Sequence, residues 1–353
     1  MKLFCSLAVI LCFVFPCGAQ TSVENPSARQ LPAQAHDKKP RRLFSDDSFW
    51  NKPLPANPEI DRRSGYWIGL MKTDAERNVG VNATRFTIPV YEVDASTPLK
   101  TVLPNSTFFH HAKDFPEKVP IPDGAVSDAQ SDHHMAIVDW GSNTAWDMWE
   151  AINRNGQWYS NTGIQYKLNG SGVFSTAELG MQNGQSVHQH GPGRAAGVPI
   201  IAGLVMYDEA ESGRIRHKVA AATQFVAYQE FVFPAAWTDG PCDGGIPEGA
   251  VLQLDPALDL SRFNLTPEEK AIARALQEYG MVLVDYAGAN VIYAEGLYGQ
   301  KNKSWAGKLR EWEGGIVSIP MENYRVLAIH NSVHEGDQRH QAKIPICHEK
   351  VAP

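Results

Sequence analysis

Apolar and ionisable residues alternate from Ser131 to Ile152, on both sides of a turn formed by Gly, Ser and Asn at positions 141–143. Alternation with a period of two is typical of strands, and these turn residues favour tight connections, so the pattern predicts a β-hairpin. If Asp139 pairs with Thr144, Ala136 lies opposite Asp147. Three side chains that suit carbohydrate chemistry then share one face of the hairpin: His134, Asp147 and Trp149.

Other strands are predicted from similar patterns at 85–94, 100–103 and 225–233, and the continuous apolar run at 198–206 should be buried. The segments 281–288 and 291–297 predict a second hairpin with its turn at 288–290. A three-residue loop there would put Asp285 and Glu295 on the same face, whereas a two- or four-residue loop would put them on opposite faces. The sequence leaves both arrangements open.

The strongest local pattern predicts a helix from Thr266 to Gly280. Thr266 suits the N-cap, Pro267 suits the first helical position, and Glu269 completes a capping box. Gly280 can end the helix. A shorter acidic turn or helix is predicted at 208–211.

Short strands separated by Gly- and Pro-rich loops, with a single long helix, predict a mainly β fold. We expect an antiparallel β-sandwich of jelly-roll type with long loops, formed as a single catalytic domain by residues 43–353. One such loop, at 178–194, carries His188, His190 and Arg194, and another, at 237–249, carries Asp239.

The first 19 residues have a basic start, an apolar run and small residues before Gln20, which predicts a secretory signal peptide. Residues 20–42 are polar and Pro-containing, which predicts a disordered lead. We therefore expect a secreted protein, extracellular or periplasmic. Removal of the signal leaves only Cys242 and Cys347, so the fold cannot depend on a disulfide framework, although one bridge could form.

The net charge and the absence of several known motifs argue against some classes of function. The net charge of -7 argues against nucleic acid as a partner, and no second apolar segment is long enough to span a membrane. The chain has no nucleophile elbow, phosphate-binding loop or dinucleotide fingerprint, so no cofactor is expected. His188 and His190 could chelate a metal together, but no third ligand follows from the spacing, and no metal is predicted.

We expect an enzyme that cleaves an extracellular polysaccharide. Glycoside hydrolysis needs two carboxyl groups, one to protonate the leaving oxygen and one to act as nucleophile or base. Asp147 is the first candidate, and Trp149 offers a flat surface for a sugar ring. Its partner carboxyl could be any of three residues in loops or at strand ends: Asp239, Asp285 and Glu295.

Two other functions remain open. A polysaccharide lyase needs a base such as His134, His217 or Tyr293, and a cation such as Arg194 to neutralise a uronate. His217 points the same way as the apolar residues around it, so a hydrogen-bonded core histidine is the competing interpretation. A carbohydrate-binding module without turnover would also suit the nine Trp residues.

Several short motifs resemble those of secreted microbial proteins described as jelly-roll or concanavalin-like. They are FWNKPLP at 49–55, HHMAIVD at 133–139 with WDMW at 146–149, GLV at 203–205 with GRIRH at 213–217, and ALQEYG at 275–280 followed by two strands. The resemblance extends over Leu43 to Trp305. It implies a β-sandwich and export, and assigns no reaction or catalytic residue.

Overall fold

The structure is a computed structural model that describes residues 41–75, 77–107, 109–175, 181–182, 185–186 and 193–334. The predicted signal peptide and most of the predicted lead lie outside these residues. So do His188, His190 and Cys347. Cys242 is disulfide-bonded.

The described residues form nineteen strands and three α-helices, which confirms the prediction of a mainly β fold. The helices are α1 (Ser64–Met71), α2 (Tyr207–Glu211) and α3 (Pro267–Glu278). The strands are β1 (Gly80–Asn82), β2 (Ile88–Glu92), β3 (Leu99–Pro104), β4 (Lys118–Pro120), β5 (Met135–Asp139), β6 (Thr144–Trp149), β7 (Ile152–Arg154), β8 (Gln157–Ser160), β9 (Thr162–Lys167), β10 (Met181–Gln182), β11 (Gln185–Ser186), β12 (Val219–Thr223), β13 (Val226–Phe231), β14 (Ile246–Glu248), β15 (Val251–Leu254), β16 (Met281–Tyr286), β17 (Val291–Tyr293), β18 (Glu295–Gly296) and β19 (Tyr324–Val326). No helix among these residues has the length and apolar character needed to cross a bilayer.

Three sheets form most of the fold. The six-stranded sheet has the order β1-β17-β12-β16-β15-β19, the five-stranded sheet β18-β2-β5-β6-β9, and the four-stranded sheet β4-β3-β8-β7. The expectation of purely antiparallel pairing is wrong, because β2 runs parallel to β5, β3 to β8, and β12 to β16. Each of these pairs is joined by a long connection, which allows the chain to return in the same direction. A jelly-roll order is not confirmed.

The six-stranded sheet is buried on both faces. On β12, Val219 and Ala221 belong to a core that also includes residues of α1 and α3. Their neighbours Ala220 and Ala222 belong to a second core, shared with the five-stranded sheet. Since successive residues of a strand face opposite sides, β12 lies between helices and a second sheet.

The predicted first hairpin is confirmed, including the pairing of Ala136 with Asp147. Its apolar face packs through Met135 and Ile137 into a third core with the four-stranded sheet. Its other face contributes Ala136 to the second core. The layers are therefore helices, six strands, five strands and four strands, and the face that carries Asp147 lies in the interior.

The predicted second hairpin is wrong. Strands β16 and β17 are adjacent in sequence, but β12 lies between them, parallel to β16 and antiparallel to β17. Strand β12, which comes about 60 residues before β16 in the chain, pairs with both strands in place of the predicted pairing of β16 with β17. Asp285 consequently belongs to the six-stranded sheet, whereas Glu295 begins β18 of the five-stranded sheet.

Helix α3 follows the sequence prediction closely. The Thr266 side chain accepts a hydrogen bond from the Glu269 backbone N–H, and the Glu269 carboxylate accepts one from the Thr266 N–H, which completes the capping box. Gly280 follows the helix with φ +79°, a conformation that glycine adopts without strain. The apolar run at 198–206 is buried as predicted except at Met206, which is half-buried, and most of it forms turns.

We expect Thr266→Ala to lower the free energy of unfolding by about 1 kcal/mol, because it removes the side-chain acceptor at the helix N-terminus. Thr266→Ser keeps that acceptor and should be close to wild type. Urea unfolding followed by Trp fluorescence measures the difference. Equal stability of the Ala and Ser variants would contradict the capping role.

Candidate functional site

A cavity of about 550 Å³ lies where the six- and five-stranded sheets meet. Its walls include the residues just before β5, the end of β6, the end of β16, and strand β17. The lining residues are Asn82, Phe86, Asp132, His134, Trp149, Gly193, Ala195, Asp239, Asp285, Tyr286, Ala287, Gly288, Ala289, Val291, Tyr293 and Trp312. The cavity thus combines three carboxyl groups with five aromatic side chains.

A β-bulge places Asp285 at this cavity. In the pairing of β12 with β16, Ala221 lies opposite Leu283 but Ala222 lies opposite Asp285, so Val284 is the additional residue. Paired residues of parallel strands share a face, and the bulge therefore turns Asp285 to the same side as Val284. Without it, the alternation along β16 would direct Asp285 toward the helices. The exposed fraction of its side chain is 17%.

Asp285 carries a proton more readily than an ordinary carboxyl. Burial raises its pKa well above the usual value, the charge of Asp239 raises it further, and Arg194 acts in the opposite direction. Burial also raises the pKa of Asp239 to about 7, with a contribution from the charge of Asp132. Because like charges disfavour simultaneous ionisation, Asp239 and Asp285 do not both ionise readily.

Asp132 is the third carboxyl at the cavity. It is half-buried, immediately before the hairpin, and burial together with the charge of Asp128 raises its pKa. Arg194 and His133 act to lower the pKa of Asp132. The three carboxyls therefore differ in environment, which is how one site can hold an acid and a carboxylate at the same pH.

Glu248 lies behind this group. It is fully buried in β14. Burial raises its pKa well above the usual value, and the charges of Asp239 and Asp285 add to the increase. Removing an ionised carboxylate from water is costly, so the neutral form of Glu248 is favoured.

Arg194 is the cation beside these carboxyls, and it is fully buried. Its Nη1 lies 3.7 Å from Oδ2 of Asp285, its Nη2 donates to the Ile200 carbonyl at 3.1 Å, and its guanidinium lies 4.0 Å from the centre of the Tyr293 ring. The backbone N–H of Ala196 donates to the carbonyl of the bulged Val284. The bulge therefore holds both Asp285 and the turn that carries Arg194.

His134 lines the cavity and is 5% exposed. Burial, together with the charges of Arg194 and His133, lowers its pKa to about 3. The imidazole is therefore neutral above that pH and can donate or accept a hydrogen bond. Trp149 completes this wall, where its ring contacts Phe109 edge to face at 5.0 Å.

Asp147, the first candidate from the sequence, does not line the cavity. It is fully buried, and its two oxygens accept hydrogen bonds from the Tyr166 hydroxyl at 2.8 Å and the Ile200 N–H at 2.7 Å. Burial raises its pKa to about 7. These contacts join β6 to β9 and to the buried apolar run, which does not favour contact with a substrate.

Two further candidates also lie away from the cavity. Nε2 of His217 is 3.0 Å from the Glu209 carboxylate and its Nδ1 is 2.8 Å from the Lys218 carbonyl, as expected for a hydrogen-bonded core histidine. Burial alone would lower the pKa of His217, but Glu209 raises it. Glu295 is buried and accepts a hydrogen bond from the Tyr207 N–H at 2.9 Å.

Of the nine candidates, five line the cavity, namely His134, Trp149, Asp239, Asp285 and Tyr293, and Arg194 lies directly behind it. Sequence reasoning did not select Asp132, Glu248 or the aromatic residues Phe86, Tyr286 and Trp312. Asp132 lies within the predicted hairpin stretch and Tyr286 directly follows the candidate Asp285, so the sequence offered a local signal for both. Glu248 and Trp312 gave no local signal, because only long-range packing brings them here.

No family model matches this chain, and no curated protein or solved structure shows significant similarity to it. No group of three or more His, Cys, Asp or Glu residues in the described ranges could hold a metal ion. Function must therefore be argued from the cavity.

We expect wild type to lose stability relative to Asp147→Asn as the pH rises from about 4 to about 7. The folded state keeps Asp147 protonated up to pH about 7, whereas the unfolded chain ionises it near pH 4, so unfolding releases a proton within this window. The loss should be on the order of 3 kcal/mol. Urea unfolding at pH 4 and pH 8 measures it.

The matched control is Asp46→Asn, since the Asp46 side chain is 93% exposed. This variant should follow the pH dependence of wild type. If Asp147→Asn also follows it, Asp147 is not a protonated buried carboxyl.

Proposed function

We propose that the protein is a secreted glycoside hydrolase that cleaves an extracellular polysaccharide. The observation that carries the proposal is the cavity lined by Asp132, Asp239 and Asp285 together with aromatic side chains. Glycoside hydrolysis requires one carboxyl that is protonated and one that is ionised on either side of the scissile bond. Export, which the N-terminal sequence predicts, would place the enzyme where such polymers occur.

Asp285 is the proposed general acid. Its pKa is raised by burial and by Asp239, so it can hold a proton at neutral pH and donate it to the glycosidic oxygen as the bond to the anomeric carbon breaks. Asp132 is the proposed nucleophile or base, because the positive charges of His133 and Arg194 act to lower its pKa and so favour its ionised form. Asp239 serves to raise the pKa of Asp285.

The remaining groups position the substrate and the acid. Arg194 is close enough to Asp285 to stabilise its carboxylate after the proton has left. Neutral His134 can hydrogen-bond a sugar hydroxyl, and Trp149 can pack against a sugar ring.

A lyase is the second candidate, and two observations make it less suitable. Arg194 is fully buried and does not line the cavity, so it does not reach a uronate there without rearrangement. No Lys or Arg is among the described lining residues, whereas three carboxyls are, and these would repel a polyanion. A binding module without turnover would not need carboxyls with raised pKa values.

We expect Asp285→Asn to lower kcat on the cleaved polysaccharide by about 10²- to 10⁴-fold, because the amide cannot donate the proton. The assay incubates purified protein with a polysaccharide panel and follows reducing ends and ultraviolet absorbance in parallel. Asp46→Asn, which changes an exposed carboxyl in the same way, should retain wild-type activity. Absorbance at the wavelength of unsaturated sugars would instead identify a lyase, and unchanged kcat in Asp285→Asn would remove Asp285 as the acid.

The pH dependence tests the role of Asp239. In wild type, kcat/KM should fall only at a pH well above the usual titration range of a carboxyl, as the general acid Asp285 loses its proton. Removing the negative charge in Asp239→Asn lowers the pKa of Asp285, so this falling limb should move to lower pH while activity at pH 5 is largely kept. A limb that stays in place, or moves to higher pH, would contradict this role.

A further inference from the structure

Exposed aromatic side chains are concentrated at the mouth of the cavity. Of the four aromatic side chains that are exposed in the part of the chain the structure describes, three line it: Phe86 at 38%, Tyr286 at 37% and Trp312 at 36%. Phe86 also adopts φ +50°, a left-handed conformation uncommon for an aromatic residue. Exposed apolar groups gathered in one cavity indicate a surface that binds a ligand.

The position of Trp312 depends on a glycine. A Cβ atom added to Gly80 on β1 would lie 2.6 Å from both Cε3 and Cη2 of Trp312, and closer still to Cζ3. These distances are too short for any side chain, so the six-membered ring of the indole packs directly on the backbone of β1. The rest of the ring remains available to the cavity.

The segment that carries Trp312 is also fixed to β1. The Glu311 carboxylate accepts hydrogen bonds from the Ala83 N–H at 2.8 Å, the Thr84 N–H at 2.8 Å and the Thr84 hydroxyl at 2.7 Å. The Val81 N–H donates to the Glu311 carbonyl at 3.0 Å. The indole is therefore held in place before any ligand arrives, which lowers the entropic cost of binding.

We infer that Trp312, Phe86 and Tyr286 form a platform that binds uncharged pyranose units of the polysaccharide beside the reaction centre. Flat aromatic faces pack against the apolar face of a pyranose ring. Tyr286 follows Asp285 directly, so a sugar on the platform lies next to the proposed acid. The substrate is a neutral polymer, because the lining offers carboxyls and, within the described residues, no cation. This inference rests on the proposed function for its link to cleavage.

The platform is tested by binding measurements in the Asp285→Asn background, which prevents turnover. The probes are hexasaccharides of β-1,4-linked glucose, xylose and mannose, with hexagalacturonate as the charged comparison, and isothermal titration gives Kd. At least one neutral probe should bind more tightly than hexagalacturonate. Trp312→Ala should weaken that binding by about tenfold, and Trp312→Phe should restore part of it.

Gly80→Ala should weaken the same binding by about as much, since the new methyl group displaces the indole. Gly65→Ala is the matched glycine control, because a Cβ there meets nothing within 4 Å. Tyr159→Ala is the matched aromatic control, since Tyr159 lies on β8, away from the cavity. Both controls should bind like the background protein, and near-ultraviolet circular dichroism should show every variant to be folded.

Three results would overturn the platform: Trp312→Ala binding within about twofold of the background protein, no binding of any neutral probe, or preference for hexagalacturonate. Hydrolysis by the wild type is measured separately on the same probes. Binding that depends on Trp312 without any hydrolysis would refute the hydrolase and keep the platform. Hydrolysis whose KM is unchanged in Trp312→Ala would refute the platform alone.

Discussion

Within the residues that the structure describes, the candidate site depends on the burial of several carboxyl groups close to the guanidinium of Arg194. Arg194 is fully enclosed, and it lies against Asp285 and the Tyr293 ring. One positive charge cannot compensate Asp132, Asp239, Asp285 and Glu248 together, and removal from water penalises each ionised form. The group therefore keeps protons on some of its members, and a cavity that is to donate a proton near neutral pH needs such an environment.

The layered fold makes this burial possible. A β-sandwich with one solvated face per sheet would leave the carboxyls of the hairpin in water. Here the five-stranded sheet is covered on both faces, by the four-stranded sheet through Met135 and Ile137 and by the six-stranded sheet through Ala136 and Val138. Carboxyls between the five- and six-stranded sheets are removed from water, which raises the pKa of both Asp147 and Asp239 to about 7.

Equal pKa values do not imply equal roles. Both oxygens of Asp147 accept hydrogen bonds and lie away from the cavity, whereas the side chain of Asp239 lines the cavity. A carboxyl that is already hydrogen-bonded stabilises the packing of β6. The carboxyl of Asp239, at the cavity wall, instead acts on the neighbouring acid Asp285 through its charge. The aromatic residues at the cavity mouth extend that surface outward from the reaction centre.

The sequence by itself determined the local elements: the hairpin register that pairs Ala136 with Asp147, the capping box of α3, the buried run at 198–206, and the mainly β character. These follow from periodicity and from contacts within a few residues, which the sequence contains directly. Five of the nine candidate residues that it suggested line the cavity, although their convergence did not follow from the sequence. Only the tertiary structure decided that β12 separates β16 from β17 and that a bulge turns Asp285 into the cavity. It likewise brought Trp312 onto Gly80, since such positions depend on packing between segments far apart in the chain.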